Sequence, residues 1–168
     1  MRTPLIDRRA FLKAAGLGFA TAMTPAAWAG VLAADAVFAT AFVRRGGGHG
    51  AAILSEDGRV LHTIDLPDRG HDVVYDPVSR RSVVFARQPG TFAVIFDHAG
   101  REKPLTIASI EGRHFFGHGA FSNDGALLYA TENDFEAAAG VVGVYDARAA
   151  FKRVGEFPTY GKIGRAHV

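Results

Sequence analysis

The chain has 168 residues, a formal net charge of +2 and no cysteine. The missing thiols exclude disulfides, thiolate metal centres, a Cys nucleophile, CxxCH haem attachment and a lipoprotein anchor, so any metal site must come from His and carboxylates. Residues 1–29 carry a net +3 (Arg2, Arg8, Arg9 and Lys13 against Asp7), so the rest of the chain is slightly acidic at −1; with no basic stripe and no interleaved aromatics, nucleic acid is a poor partner.

In chain order, the first element is a leader. Arg8-Arg9 is followed by Ala10-Phe11-Leu12-Lys13, then by an Ala/Gly-rich weakly apolar stretch to Met23, then by Pro25 and a small-x-small site at Ala27-Trp28-Ala29. This order is that of an export signal of the twin-arginine type, with Asp7 where Ser or Thr is usual. The expectation is a signal helix over residues 1–29, cleaved after Ala29 or after Ala34, delivery to the periplasm by the twin-arginine translocase, and no stable membrane span afterwards. Pro25 and the short apolar run fall below the roughly 20 apolar residues that a spanning helix needs.

Beyond the leader the sequence reads as short strands separated by turns. "DAVFATAFV" (35–43) and "HGAAIL" (49–54) precede Ser55-Glu56-Asp57-Gly58, a hairpin signal, and "RVLHTIDL" follows. "DVVYD" turns into "SVVFAR", "TFAVIFD" (91–97) turns at His98-Ala99-Gly100 into "KPLTIASI", "GAFS" turns through Asn123-Asp124-Gly125 into "ALLYATE", and "GVVGVYD" (140–146) turns into "FKRVGEF". No window of helical periodicity interrupts the series, which predicts an all-β fold.

The strands repeat. Gly70-His71-Asp72 aligns with Gly117-His118-Gly119 at an offset of 47, and Asp97 aligns with Asp146 at 49. Four short strands in about 40–50 residues make one β-propeller blade. The prediction is a partial β-propeller of two to three WD40-like blades over residues 30–162, part of a longer propeller. The last six residues, Ile163-Gly164-Arg165-Ala166-His167-Val168, match the in-frame translation of a sequencing adapter and are set apart as a scar.

A twin-arginine leader followed by "GHGAAILSEDGRVLHTIDLPDRGHDVVYDP" and "GRHFFGHGAFSNDGALLYATEND" resembles an exported family of WD40-like propellers, domain-of-unknown-function family 1513, over about residues 35–162. The resemblance implies a periplasmic propeller and a link to iron-uptake neighbours. It carries over no catalytic residue.

The residues themselves offer four candidate chemistries. His71 and His118 enter successive blades in equivalent positions, and His49 has the same Gly-His-Gly setting before a different strand. Such histidines either brace the blade by bonding a carboxylate in a neighbouring turn (Asp76, Asp97 and Asp124 are of the right kind) or form a channel-facing ring, suited to Fe or Cu; His114 fits either arrangement. Arg44-Arg45 beside Gly46-Gly47-Gly48 reads as an inter-strand loop or an anion cradle. Glu132-Asn133-Asp134-Phe135-Glu136 reads as a solvated loop, without the alternating register of a calcium loop. Phe115-Phe116 breaks strand alternation, so one of the two is expected to be half exposed near the channel mouth. With no GxSxG, no Walker loop and no resolvable Ser/His/Asp set, a binding or scaffold module that engages a ligand or a periplasmic protein is the leading expectation, and a metal-binding or metalloenzyme propeller the alternative.

Overall fold

A computed structural model describes residues 38–55 and 58–161. The leader, with Arg8, Arg9, Phe11, Leu12, Lys13, Ala27 and Ala29, lies outside the described residues, and so do Glu56-Asp57 and the six C-terminal residues. Every regular element among the described residues is a strand. They are β1 (Phe38–Val43), β2 (His49–Leu54), β3 (Val60–Leu66), β4 (Gly70–Asp76), β5 (Arg81–Ala86), β6 (Phe92–Asp97), β7 (Leu105–Ala108), β8 (Arg113–Phe121), β9 (Leu127–Asp134), β10 (Ala139–Asp146) and β11 (Lys152–Pro158).

They form three antiparallel sheets: β1-β2-β3, β4-β5-β6-β7 and β8-β9-β10-β11. Each sheet is a meander of sequential hairpins, so each is one blade, and the chain forms a partial β-propeller. The first strands of the sheets lie beside one another, β1 against β4 and β4 against β8. That arrangement puts the innermost strands around one axis.

The pleat of the middle sheet explains why three blades hold together. On β5 and β6, Val84, Ala86, Phe92, Val94 and Phe96 point to the first sheet, where they meet Ala51, Ile53, Ile64 and Leu66. The intervening Val83, Phe85, Ala93 and Ile95 point to the third sheet and meet Phe115, Leu128, Ala130, Tyr145 and Phe151. Period-2 alternation with both faces apolar is what a strand between two cores requires. A backbone bond from Phe115 N–H to Gly90 C=O, 2.7 Å long, adds a direct bridge between the second and third sheets.

The turns repeat one device. Asp76 accepts from Val78 N and Ser79 N, Asp97 from Arg101 N, Asp124 from Ala126 N, and Asp146 from Arg148 N and Ala149 N. An Asp therefore caps the first and third hairpins of both complete blades through an Asx-type turn. This assigns Asp76, Asp97 and Asp124 to their own turns and removes them as partners of the entry histidines.

Two further expectations fail. Phe115 and Phe116 are both buried, because the β8–β9 register shifts between Phe115 and Gly119 and the bulge lets neighbouring side chains both turn inward. Glu132, Asn133 and Asp134 belong to β9 rather than to a loop, with Glu132 fully buried and Asn133 nearly so.

Candidate functional site

The bulge in β8 aims its histidine. Gly117 has φ of +91°, a left-handed conformation that disfavours side chains, and a Cβ there would stand 2.5 Å from His71 Cδ2. Glycine thus serves two purposes at this position: it permits the bulge and it lets the Cδ2 edge of the His71 ring come close to the backbone of the next blade. The His71 and His118 rings meet edge to face at 5.1 Å between centroids. His118 Nδ1 lies 3.1 Å from Asp72 Oδ2, while Asp72 Oδ1 accepts from Val73 N. The His118 carbonyl accepts from Thr131 Oγ1 at 3.0 Å, which ties the bulge to β9. Sequence spacing thus brings two of the three entry histidines together, and the carboxylate that serves them comes from the inner strand β4.

His71, Asp72 and His118 are all partly open to solvent; His118 and Asp72 expose 52% and 44% of their side chains. An ion pair so exposed adds little to stability, so this cluster is not explained by the fold alone.

His49 stands apart on β2, opposite Val43 and Leu66, with Asp68 Oδ1 at 3.6 Å. His114 packs edge-on against Phe135 at 4.9 Å, and its buried Nδ1 has no hydrogen-bond partner. Among the described residues no group of three or more His, Asp or Glu is placed to hold a metal ion. The two adjacent imidazoles are therefore an incomplete ligand set.

Arg44 spends its guanidinium on the three strands of its own sheet. Its Nη2 donates to Asp65 Oδ1 at 2.6 Å, its Nη1 to the His49 carbonyl at 3.3 Å, and its centre sits 5.3 Å from the Phe42 ring. The loop closes on itself through Gly47 N to Arg44 O and Arg44 N to Gly48 O, both 3.0 Å. Arg45 is exposed.

Between β1 and the start of β4 runs a groove of about 440 Å³, lined by Ala39 to Val43 on one side and Arg69 to Val73 on the other, with Arg87 at its end. His71 and Asp72 form part of its wall, so the groove and the histidine pair share one surface.

A second charged constellation was not foreseen. Glu132, fully buried on β9, accepts from Tyr145 OH at 2.6 Å and from Arg153 Nη2 at 2.9 Å and Nε at 3.3 Å. Arg113 Nη1 lies 3.7 Å away. Glu156 then bridges both arginines, through Arg153 Nη2 at 2.5 Å and through a two-pronged contact with Arg113. These bonds bring the Glu156 carboxyl down to about 2. Burial, reinforced by the bond to Glu132, pushes the Tyr145 phenol up. Burial opposes the charge on Arg153, but the bonds to Glu132 and Glu156 prevail and raise it. Glu132 has no access to solvent, Glu156 at the exposed end is held by both arginines, and the network ties β8, β9, β10 and β11 together.

A third pair has the look of a catalytic dyad without the access. Ser82 Oγ and His98 Nε2 are 2.5 Å apart, with Asp97 next in sequence. Ser82 is fully buried, Asp97 is bound at both oxygens by Arg101, and the His98 ring stacks on Tyr75 at 4.6 Å. Burial lowers the affinity of His98 for a proton, against the pull of Asp97. The Arg101 bonds hold the Asp97 carboxyl well below the usual range. The pair is a lock between hairpins.

Comparison with known proteins bears on the fold and the family. The family model described as "Protein of unknown function (DUF1513)" matches residues 64–167. No curated protein matches the chain. Among solved structures, dihydro-heme d1 dehydrogenase NirN in complex with DHE is similar, with a TM-score of 0.51 at 16% identity over 71% of this chain and 27% of that one. At that identity the likeness concerns the propeller fold alone, and this chain spans about a quarter of that structure's length.

Proposed function

The chain belongs to the DUF1513 family of unknown function, and from that premise we propose that it is part of an exported periplasmic propeller that acts as a binding module through the surface of its inner strands. The observation that carries this reading is the solvent-open cluster of His71, Asp72 and His118 on β4 and β8, beside the groove between β1 and β4. Polar groups that brace a fold are buried, as Glu132 and Ser82 are, whereas His71 and His118 are exposed and Asp72 is half-buried. Propellers carry many unrelated activities, so the site and not the fold supports the proposal.

The direct test is a hydrogen-exchange footprint of the full chain with and without a periplasmic small-molecule extract. Slowed exchange in β4 and β8, with β7 and β11 unchanged, is the expected outcome. Uniform or absent protection would sink the reading.

Export rests on the leader. Replacing Arg8 and Arg9 by Lys should leave the chain in the cytoplasm, and the mature N-terminus should follow Ala29 or Ala34. Efficient export of the Lys-Lys variant, or an intact leader on periplasmic protein, would count against it.

A role in iron or copper handling is favoured by one observation, the adjacency of His71 and His118, which supply two imidazoles suited to those metals. The remaining ligands would have to come from outside the described residues. Titration of Fe or Cu into the full chain tests this: loss of binding with the fold kept in His71→Ala and His118→Ala supports metal ligation, and loss of folding assigns the pair a bracing role.

A further inference from the structure

Arg69 and Arg87 are placed against electrostatics. Gly70 pairs with Ala86 on the β4–β5 ladder, and one step beyond, Arg87 N donates to Arg69 O at 2.7 Å. Two guanidinium groups therefore spring from directly opposed positions, where like charges repel. Arg44, Arg81 and Arg113, at or beside strand ends, each have a carboxylate, in Asp65, Glu102 and Glu156, whereas Arg59 and Arg80 stand alone among the described residues and are not opposed by another cation on a ladder. Neither the Arg69 nor the Arg87 guanidinium makes an ion pair or a hydrogen bond among the described residues.

Both line the 440 Å³ groove, a volume within the roughly 300–1,000 Å³ of small-molecule sites. β4 runs tight against β1, because Gly70 lets it approach the Ala41 methyl so closely that a Cβ would stand 2.8 Å from it, and the surface that the groove presents is mainly polar. The acidic neighbours are damped: Asp72 is engaged by His118 and by Val73 N, and Asp68 Oδ1 accepts from Arg69 N with His49 at 3.6 Å. Two unmatched planar cations on opposed ladder positions offer two forks to one ligand, which fits two carboxylates held apart on a short carbon skeleton better than it fits a single inorganic ion.

We propose that the groove between β1 and β4 binds a small organic acid carrying at least two carboxylates, held by Arg69 and Arg87. This rests on the inner-strand surface being the binding surface, and it names the chemistry of the ligand. The anion would relieve the repulsion between the two arginines, so binding and local order are coupled.

The experiment is calorimetric titration of the full 168-residue chain at low ionic strength with citrate, succinate and inorganic phosphate. Citrate or succinate should bind at least tenfold more tightly than phosphate, and Arg69→Gln and Arg87→Gln should each weaken that binding by about tenfold or more. Lys103→Gln, on an exposed residue outside the groove, should leave it unchanged. Failure of both organic acids to bind, phosphate binding as tightly as they do, or full binding by the double variant would each overturn the proposal. The same sample run through the exchange footprint separates the two levels of inference: β4 and β8 protected by extract but not by either acid means that the ligand class is wrong and the surface right, and no protection by anything means that both are wrong.

Discussion

Deleting the Arg153 guanidinium by Arg153→Met isolates the buried charge network. Glu132, with no solvent access, would keep the Tyr145 hydroxyl at 2.6 Å and Arg113 at 3.7 Å but lose two charge-assisted bonds at 2.9 and 3.3 Å. Breaking a buried pair from one side costs about 3–5 kcal/mol, because the remaining charge stays desolvated. For a domain of this size about 1 kcal/mol moves the melting temperature by roughly 3–5 °C, so a fall of about 10–20 °C is expected. Urea melts should show a lower midpoint with an unchanged slope. The double variant Glu132→Gln/Arg153→Met removes both charges and should recover at least about 1 kcal/mol of the loss, giving a coupling energy in a double-mutant cycle. A single-variant cost below about 1 kcal/mol, or strictly additive losses, would refute the claim that Glu132 and Arg153 depend on each other.

Acid should weaken that network and, separately, the Asp97–Arg101 pair. The Glu156 carboxyl lies at about 2, depressed by Arg113 and Arg153, and Asp97 is held low by Arg101. A depressed folded-state value contributes stability that is full above the unfolded value and is lost as pH falls through the folded one, so stability should decline between about pH 4.5 and 2; Glu156→Gln should flatten that decline in melts taken across the window. Gly117→Ala should cost about 1–3 kcal/mol through the φ of +91° and the 2.5 Å approach to His71 Cδ2, and the His71 and His118 imidazole resonances should shift with it in NMR spectra. Phe85→Ala, at a fully buried ring 5.8 Å from Phe115, should cost about 3–5 kcal/mol by chemical denaturation. His118→Asn should change stability by less than about 1 kcal/mol, since its pair with Asp72 is half exposed; a larger loss would make that contact a structural brace.

Strand alternation and turn residues were legible because they are local. "HGAAIL" gave β2 over its full extent, and the Asp-containing turns fell where hairpins bend. β8 was read short, as "GAFS", because its bulge breaks the period-2 signal over the preceding residues, Arg113 to Gly117. Glu132 was misread because a run of Glu, Asn and Asp resembles solvated loop in isolation, and nothing in the order of residues tells that Tyr145, Arg153 and Arg113 converge on it from three other strands. The adjacency of His71 and His118 was legible through the 47-residue repeat. The partner carboxylate was not, since Asp72 became available only once the bulge had turned His118 toward β4. Arg69 and Arg87 escaped notice for the same reason: each is an ordinary loop residue until the ladder sets them face to face.

The middle sheet lends one face to each of two cores, and that division has a consequence for how the chain assembles. Among the described residues neither outer sheet has a core of its own, so their folding is coupled to the middle one as in a nearest-neighbour array, where each unit is weak and the interfaces supply the cooperativity. Assembly would then start on the hairpin of β5 and β6, where eleven strand residues, Ser82 to Ala86 and Phe92 to Asp97, are buried, and spread outward in both directions. The amides of Val83 to Phe85 should be the last to exchange with solvent, and those of β1 and β11 should open first, at a small fraction of the global unfolding free energy.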